Sequence, residues 1–257
     1  MRLASFNVNS IRRRAPHVAR FLARHEPDIL VLQELKCRTE EFPAVELAAS
    51  GYRHHVVGQP GGRNGVAVLA KIPFEVVCEN LEGEADDDHA RYVEIRAAGA
   101  HIAGIYLPNG NSGGEAGMAY KWRWMQRLNE RAQRHLDAFT PFAILGDFNV
   151  CPTDADLTPG LLPPGDALRH PTTRQHFRAL CHMGMTDSAI ALGERPWTYW
   201  DYGSAFETNR GLRIDHVMLS PELAERLRAF HVDTEARAEE QPSDHAPVWV
   251  ELAPISP

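Results

Sequence analysis

Several apolar runs in this 257-residue chain end on residues that can do chemistry. Asn7 follows RLASF, Glu34 follows ILVLQ, Tyr106 follows HIAGI, and Asp147 and Asn149 follow FAILG. Asp215 closes GLRID, and Asp244 and His245 stand just before the alternating run APVWVEL. Any one of these is ordinary, since turns follow strands and turns are polar; Pro242, Ser243 and Asp244 could be a turn and nothing more. The set is less ordinary. It holds four carboxylates, two amides, a phenol and an imidazole, on segments far apart in sequence. If those ends share one edge of the fold, they line an oxygen-rich pocket. Crowded carboxylates repel unless a cation joins them. Their hard oxygens suit Mg²⁺ or Mn²⁺ rather than zinc. Mg²⁺ takes one or two carboxylates, several waters and a substrate phosphate. The chemistry implied is phosphate-ester hydrolysis. Cation and imidazole neutralise the phosphate while a carboxylate activates water.

Two other patterns compete. GNSGG (110–114) fits the serine-hydrolase elbow, with an Asp and a His downstream. That elbow needs a strand turning sharply into a helix through the serine. Here Pro108 and Asn109 intervene, and the Gly/Asn/Ser run reads as an open loop. No phosphate-binding P-loop pattern occurs. KWRWM (121–125) could stack bases, but Trp122 and Met125 are expected on the core face of a helix. WTYWDYG (197–203) could hold a sugar or base, or could pack a sheet edge.

Apolar runs predict strands at 2–8, 29–34, 64–70, 91–97, 101–107, 142–148, 213–219, near 229–234 and at 246–252. Helices are expected at 15–25, 118–139, 173–183 and 221–228. In the second, Met118, Trp122, Met125, Leu128, Ala132, Leu136 and Phe139 recur at steps of three and four. A Pro/Gly-rich loop spans 152–171. Strands and helices mix without strict alternation. That points to one α/β domain over 1–257, with sheets packed face to face and helices outside.

With 44% hydrophobic and 24% charged residues, the composition is that of a globular protein. No apolar run reaches the ~18 residues of a membrane span, and MRLASFNVNS lacks the apolar core of a signal peptide. Scattered Cys37, Cys78, Cys151 and Cys181 read as buried thiols in a reducing cytoplasm. The net charge of −7 counts against nucleic acid. The charges are segregated, however: EGEADDD (82–88) holds five acids, and Arg12, Arg13 and Arg14 are consecutive, so a one-sided basic face remains open.

SFNVNS, LQELK, YLPNG, LGDFNV, NRGLRIDHVML and PSDHAPV together resemble the exonuclease III family of abasic-site endonucleases, in order and spacing, from Ser5 to Val250. The resemblance implies a four-layer α/β sandwich of two mixed sheets. It implies Mg²⁺-dependent (or Mn²⁺-dependent) cleavage 5′ to abasic sites in duplex DNA, with 3′-5′ exonuclease and 3′-phosphatase activity, by a monomer. Carried over by position, Glu34 is the main metal ligand, with Asn7, Asp147, Asn149, Asp244 and His245 in the metal network. Tyr106 and His245 contact the phosphate, Asp147 activates water or protonates the leaving oxygen, Asn149 steadies the phosphate and Asp215 orients His245. Tyr199, Trp200 and Leu212 line the sugar pocket, and Asn109, Lys121 and Arg210 face DNA. Two departures stand out: Asn9 where some relatives carry Asp, and Tyr199 where Phe or Trp is frequent. Alternatives within reach of the same residues are a lipid or inositol phosphoesterase, told apart by lacking a basic groove and aromatic pocket, and a non-catalytic nucleic-acid binder. The retained catalytic residue types argue against the latter.

Overall fold

The computed structural model describes residues 1–48 and 50–254. Its strands form two mixed sheets of six. The first has the order β11 (Leu227–Val232), β12 (Val248–Leu252), β1 (Arg2–Asn7), β2 (Ile29–Gln33), β4 (Val66–Ala70) and β3 (Arg53–Val57). The second runs β5 (Glu75–Cys78), β6 (Tyr92–Ala97), β7 (Ala100–Tyr106), β8 (Phe142–Asp147), β10 (Asp215–Leu219) and β9 (Thr186–Asp187). The helices are α1 (Ile11–His25), α2 (Ala44–Ala48), α3 (Glu115–Asp137), α4 (Pro171–His182), α5 (Ser188–Ala191), α6 (Pro221–Ala224) and α7 (Thr234–Ala238). Each sheet has one parallel pair, β1 with β2 and β7 with β8. Parallel neighbours need a crossover, and α1 and α3 provide the two.

Strands covered on both faces read as unbroken apolar runs, and FAILGD is buried throughout. Leu3, Ile29, Val31 and Val68 meet Ile95, Ile102, Leu145 and Val217 between the sheets. Outside the first sheet, Phe6, Leu30 and Leu32 pack on Val18, Phe21 and Leu22 of α1. Outside the second, Ile105, Phe142 and Ile144 pack on Trp124, Met125 and Leu128 of α3 and Phe177 of α4. This is the expected sandwich of helix, sheet, sheet and helix.

Details differ from the sequence reading. Trp124 is buried on α3, whereas Trp122 lies on the flank and donates from its indole to Thr173 Oγ1 at 3.0 Å. Phe139 lies beyond the helix end and is 82% exposed. The helix expected at 221–228 stops at Ala224, because Leu227 already pairs in β11. Cys37 and Cys151 are buried, but Cys181 is exposed; all four thiols are free. The acids of the 82–88 loop are largely neutralised by α3: Glu82 pairs with Arg134, and Glu84 and Asp87 pair with Arg127. Among the described residues, no helix is long and apolar enough to cross a membrane.

The topology sends the chemistry to one edge. The parallel pairs deliver the ends of β1, β2, β7 and β8. β10 runs antiparallel to β8, so its first residue, Asp215, lies opposite Asp147. β12 runs antiparallel to β1 with Val248 opposite Ser5, so the segment before it, with Asp244 and His245, arrives at that edge too.

Candidate active site

The backbone is unusual where the strands stop. Glu34 follows β2 at φ 53° and Asn149 follows β8 at φ 48°. Non-glycine residues seldom occupy this left-handed region, and such positions concentrate at functional sites. Gly146, one residue ahead of Asp147, has φ 155°, and a Cβ there would lie 2.0 Å from the Ile105 carbonyl oxygen. Only glycine lets β8 approach β7 so closely on its way to Asp147.

Side chains from both sheets meet at this edge. Asn7 donates from Nδ2 to Glu34 Oε1 and to Asp147 Oδ2, each at 2.9 Å. Asp147 also accepts from the Asn149 backbone N–H at 2.8 Å and from Asn149 Nδ2 at 3.2 Å. Asn149 Oδ1 accepts from Asn109 Nδ2 at 3.0 Å. His245 Nδ1 lies 2.8 Å from Asp215 Oδ2, which leaves Nε2 facing Asp147 Oδ2 at 3.8 Å. Ligand-type atoms of Glu34, Asp147 and His245 fall within 4.8 Å of one another. Lys36 Nζ pairs with Glu34 Oε2 at 2.8 Å and also donates to Asn9 Oδ1. Asn9 in turn donates to Asp244 Oδ1 and to the Tyr202 hydroxyl, each at 2.9 Å.

Burial sets the electrostatics. It pushes the Asp147 carboxyl up to about 7; the cationic His245 opposes that, while Asp215 and Glu34 add to it. Burial acts against a charged His245, but Asp215 and Asp147 outweigh it and raise the imidazole to about 10. For Glu34 burial is again the largest influence, yet Lys36 and Asn7 prevail and hold the carboxyl below its usual range. Burial, with Glu34 and Asp147 close by, keeps the Tyr106 phenol protonated far above neutrality.

A cavity of about 280 Å³ opens over these groups. Glu34, Tyr106, Asp147, Asn149, Asp244 and His245 form its polar side, and Leu161, Leu162, Leu168, Tyr199, Leu212 and Ile214 its apolar side. The Tyr199 ring lies edge-on to His245, centroids 5.0 Å apart. A neighbouring open cleft is lined by Arg12, Arg13, Arg14 and Lys36. Arg14 is occupied there, donating to Asn9 O, Pro242 O and the Tyr202 hydroxyl. Arg12 and Arg13 remain exposed.

Most of the expected residues are thus brought together, with four revisions. Lys121 cannot face DNA. It is fully buried, donates from Nζ to Asn109 O and Asn149 O, and holds those two loops together from beneath. Trp200 does not line the cavity; adjacent residues of an extended segment point opposite ways. Tyr199 faces the cavity, while Trp200 packs on Phe206 behind it. Asn7 turns its nitrogen, not its oxygen, to the carboxylates, because its Oδ1 accepts from the Asn9 N–H at 3.0 Å. In this arrangement its amide nitrogen orients the acidic pair. Asp244 lines the cavity but stands outside the Glu34–Asp147–His245 group. Asn109 lines the cavity, and Arg210 is exposed but does not line it. The sequence reading missed Lys36 and the Leu161–Leu162 pair. An apolar pair inside a Pro/Gly-rich loop was the available signal for the latter.

The endonuclease/exonuclease/phosphatase family model matches residues 4–245. Exodeoxyribonuclease III of Haemophilus influenzae is 32% identical, over 98% of this chain and 100% of that protein. The 3′-5′ exonuclease NExo of Neisseria meningitidis superposes with TM-score 0.93 at 36% identity, covering 98% of this chain and all of that one. Another structure of NExo, described as a 3′ phosphatase, holds a product DNA hairpin. An AP endonuclease from Archaeoglobus fulgidus superposes with TM-score 0.90 at 31% identity, covering 98% of this chain and 99% of that one. With a match that spans the sandwich and the residues at its edge, the chain belongs to the endonuclease/exonuclease/phosphatase family, in its exonuclease III branch.

Proposed function

We propose that this chain is a divalent-metal-dependent DNA-repair phosphodiesterase. It cleaves duplex DNA 5′ to abasic sites and acts at 3′ ends as a 3′-5′ exonuclease and 3′-phosphatase. One observation carries the reading: a buried carboxyl held by amide donors faces an Asp-oriented imidazole at the mouth of a small, half-apolar cavity. The hard oxygens of Glu34 and Asp147 fit Mg²⁺ or Mn²⁺. Such an ion would supply Lewis-acid stabilisation of phosphate charge.

The chain's own groups divide the remaining work. Asp147, made a stronger proton acceptor by its burial, takes a proton from the attacking water. Cationic His245 and the Tyr106 phenol donate to phosphate oxygens, where negative charge builds. Asp215 fixes the imidazole, and Asn7 and Asn149 fix Asp147. Arg12 and Arg13 hold the duplex backbone beside the cavity, so binding weakens as salt rises.

The deciding assay compares three substrates with added Mg²⁺: a duplex with one abasic site, an undamaged duplex, and one ending in a 3′-phosphate. No cleavage of any of the three, with hydrolysis of an inositol phosphate run beside them, would overturn the reading. Excess chelator is expected to abolish turnover and Mg²⁺ or Mn²⁺ to restore it. Glu34→Ala is expected to raise the metal needed for half-maximal rate by at least the ~10–100-fold that losing an outer-shell partner costs. Full activity in chelator would rule this mechanism out.

Tyr199 sets substrate choice. A bare deoxyribose fits between Tyr199, Leu212 and Ile214, whereas a nucleotide with its base must also be unstacked. Tyr199→Ala is expected to lower abasic cleavage about tenfold more than 3′-phosphate release, the scale of one aromatic contact of ~1.5 kcal/mol. Equal losses would make Tyr199 merely a packing partner of His245.

A further inference from the structure

A second group of metal-type donors lies against the far end of α3. Glu94 of β6, His101 of β7 and His135 in the last turn of α3 bring one carboxylate oxygen and two imidazole nitrogens within 4.8 Å of one another. Both rings converge on the same oxygen: His101 Nδ1 is 2.7 Å from Glu94 Oε1, and His135 Nε2 is 3.2 Å from it. His135 Nε2 is buried and faces only that oxygen, in a contact whose angle falls short of a directed hydrogen bond. Its ring cannot swing away easily, being stacked on Phe142 with centroids 4.1 Å apart.

The rest of the carboxylate is anchored. Glu94 Oε2 accepts from the Tyr92 hydroxyl at 2.6 Å and from Arg131 Nε at 2.9 Å. Arg131 Nη2 also reaches Oε1, at 2.7 Å. A cation bound at Oε1 has to displace that last bond, against the repulsion of the Arg131 charge that stays on Oε2. Outer donors on one oxygen, with the other turned to histidines, are how a ligating carboxylate is oriented. Tetrahedral metal–ligand bonds of about 2.0–2.1 Å keep ligands roughly 3.3 Å apart. The oxygen–nitrogen separations already present are 2.7 and 3.2 Å, so the donors are near ligand spacing, and His101 has to turn from its hydrogen bond on Oε1 toward the ion.

We propose that Glu94, His101 and His135 form a second metal site that takes a transition cation of the Zn²⁺ type in preference to Mg²⁺. Two imidazoles and one carboxylate suit zinc or cobalt, whereas Mg²⁺ demands an octahedral oxygen shell. The partly exposed edge of His101 gives access, and water takes the fourth position. His101 lies near the start of β7 and Tyr106 at its end, roughly 17 Å apart along the strand. The ion therefore clamps α3 to the β6–β7 hairpin and takes no part in cleavage.

Co²⁺ and Zn²⁺ titrations of the full chain in saturating Mg²⁺ test this. Wild type is expected to bind one more equivalent of Co²⁺, with tetrahedral visible bands, than His101→Ala or His135→Gln. Zn²⁺ should raise the melting temperature of wild type only, and His101→Ala should cleave DNA in Mg²⁺ at the wild-type rate. Each variant should lose at least ~10-fold in Zn²⁺ affinity. Metal-free melting followed by circular dichroism reports whether each variant folds; His101, partly exposed, keeps the test open if His135→Gln does not. Equal Co²⁺ stoichiometry in wild type and His101→Ala would overturn the proposal, as would a Zn²⁺ melting shift that Mg²⁺ abolishes.

Discussion

Asp147→Asn is expected to slow cleavage by about 10²–10⁴, the range of a lost general base, while DNA binding changes little. The amide has the carboxylate's shape and its oxygen can still accept from the Asn149 N–H that now bonds Oδ1, although its nitrogen then faces the Asn7 and Asn149 side-chain donors on Oδ2. It cannot take a proton. Asp147 is 1% exposed, and burial first, with Asp215 and Glu34 adding and His245 opposing, brings its carboxyl to about 7. A carboxyl raised by burial is a stronger proton acceptor than one in its ordinary range. Single-turnover rates on an abasic duplex, set beside equilibrium binding of the same duplex, separate the two effects. A loss below tenfold in the chemical step would assign the base elsewhere.

Removing the imidazole should be nearly as severe. His245→Ala is expected to cost at least ~10² in rate, by analogy with losing one donor to a developing oxyanion. Asp215→Asn should cost a large part of the same. Asp215 lies 2.8 Å from Nδ1 and, with Asp147, keeps the ring cationic, so without it the ring loses its orientation and part of what holds its charge. Because the pair acts as a unit, the double variant should be little worse than His245→Ala alone. The measurement is a double-mutant cycle on the chemical step. Multiplicative losses would mean that Asp215 acts independently of His245.

Sequence revealed those parts of this molecule that physics writes locally. β1, β2, β4, β7 and β8 are covered on both faces, so each is an apolar run that a glance detects. The edge strands β3 (RHHVV) and β5 (EVVC) are exposed or half-buried, and their short mixed patterns give no strand signal. The site residues were legible because each sits at the end of a readable run. Their roles depended on direction, which sequence does not carry. Asp244 and His245 do point to different partners, Asn9 and Asp215, as alternation requires. The same rule, applied to Tyr199 and Trp200, would have removed Trp200 from the pocket. Lys121 misled for another reason. A lysine on an amphipathic helix is normally solvated, and nothing local announces that two loop carbonyls wait to receive it in the interior.

β12 closes the first sheet by pairing Arg2 with Glu251 and Ser5 with Val248, joining the earliest strand to the latest. During synthesis this puts the cutting site on a clock. Asn7 and Glu34 leave the ribosome first, the second sheet follows with Asp147 and Asp215, and His245 comes last. At ~5–20 residues per second, roughly 5–20 seconds separate Asp147 from His245. Until then β1 is paired on one side only, with β2, and Asp215 has no imidazole to hold. A nascent chain surrounded by the ribosome's own phosphodiesters is therefore an unarmed nuclease, and it becomes competent only when its final strand docks.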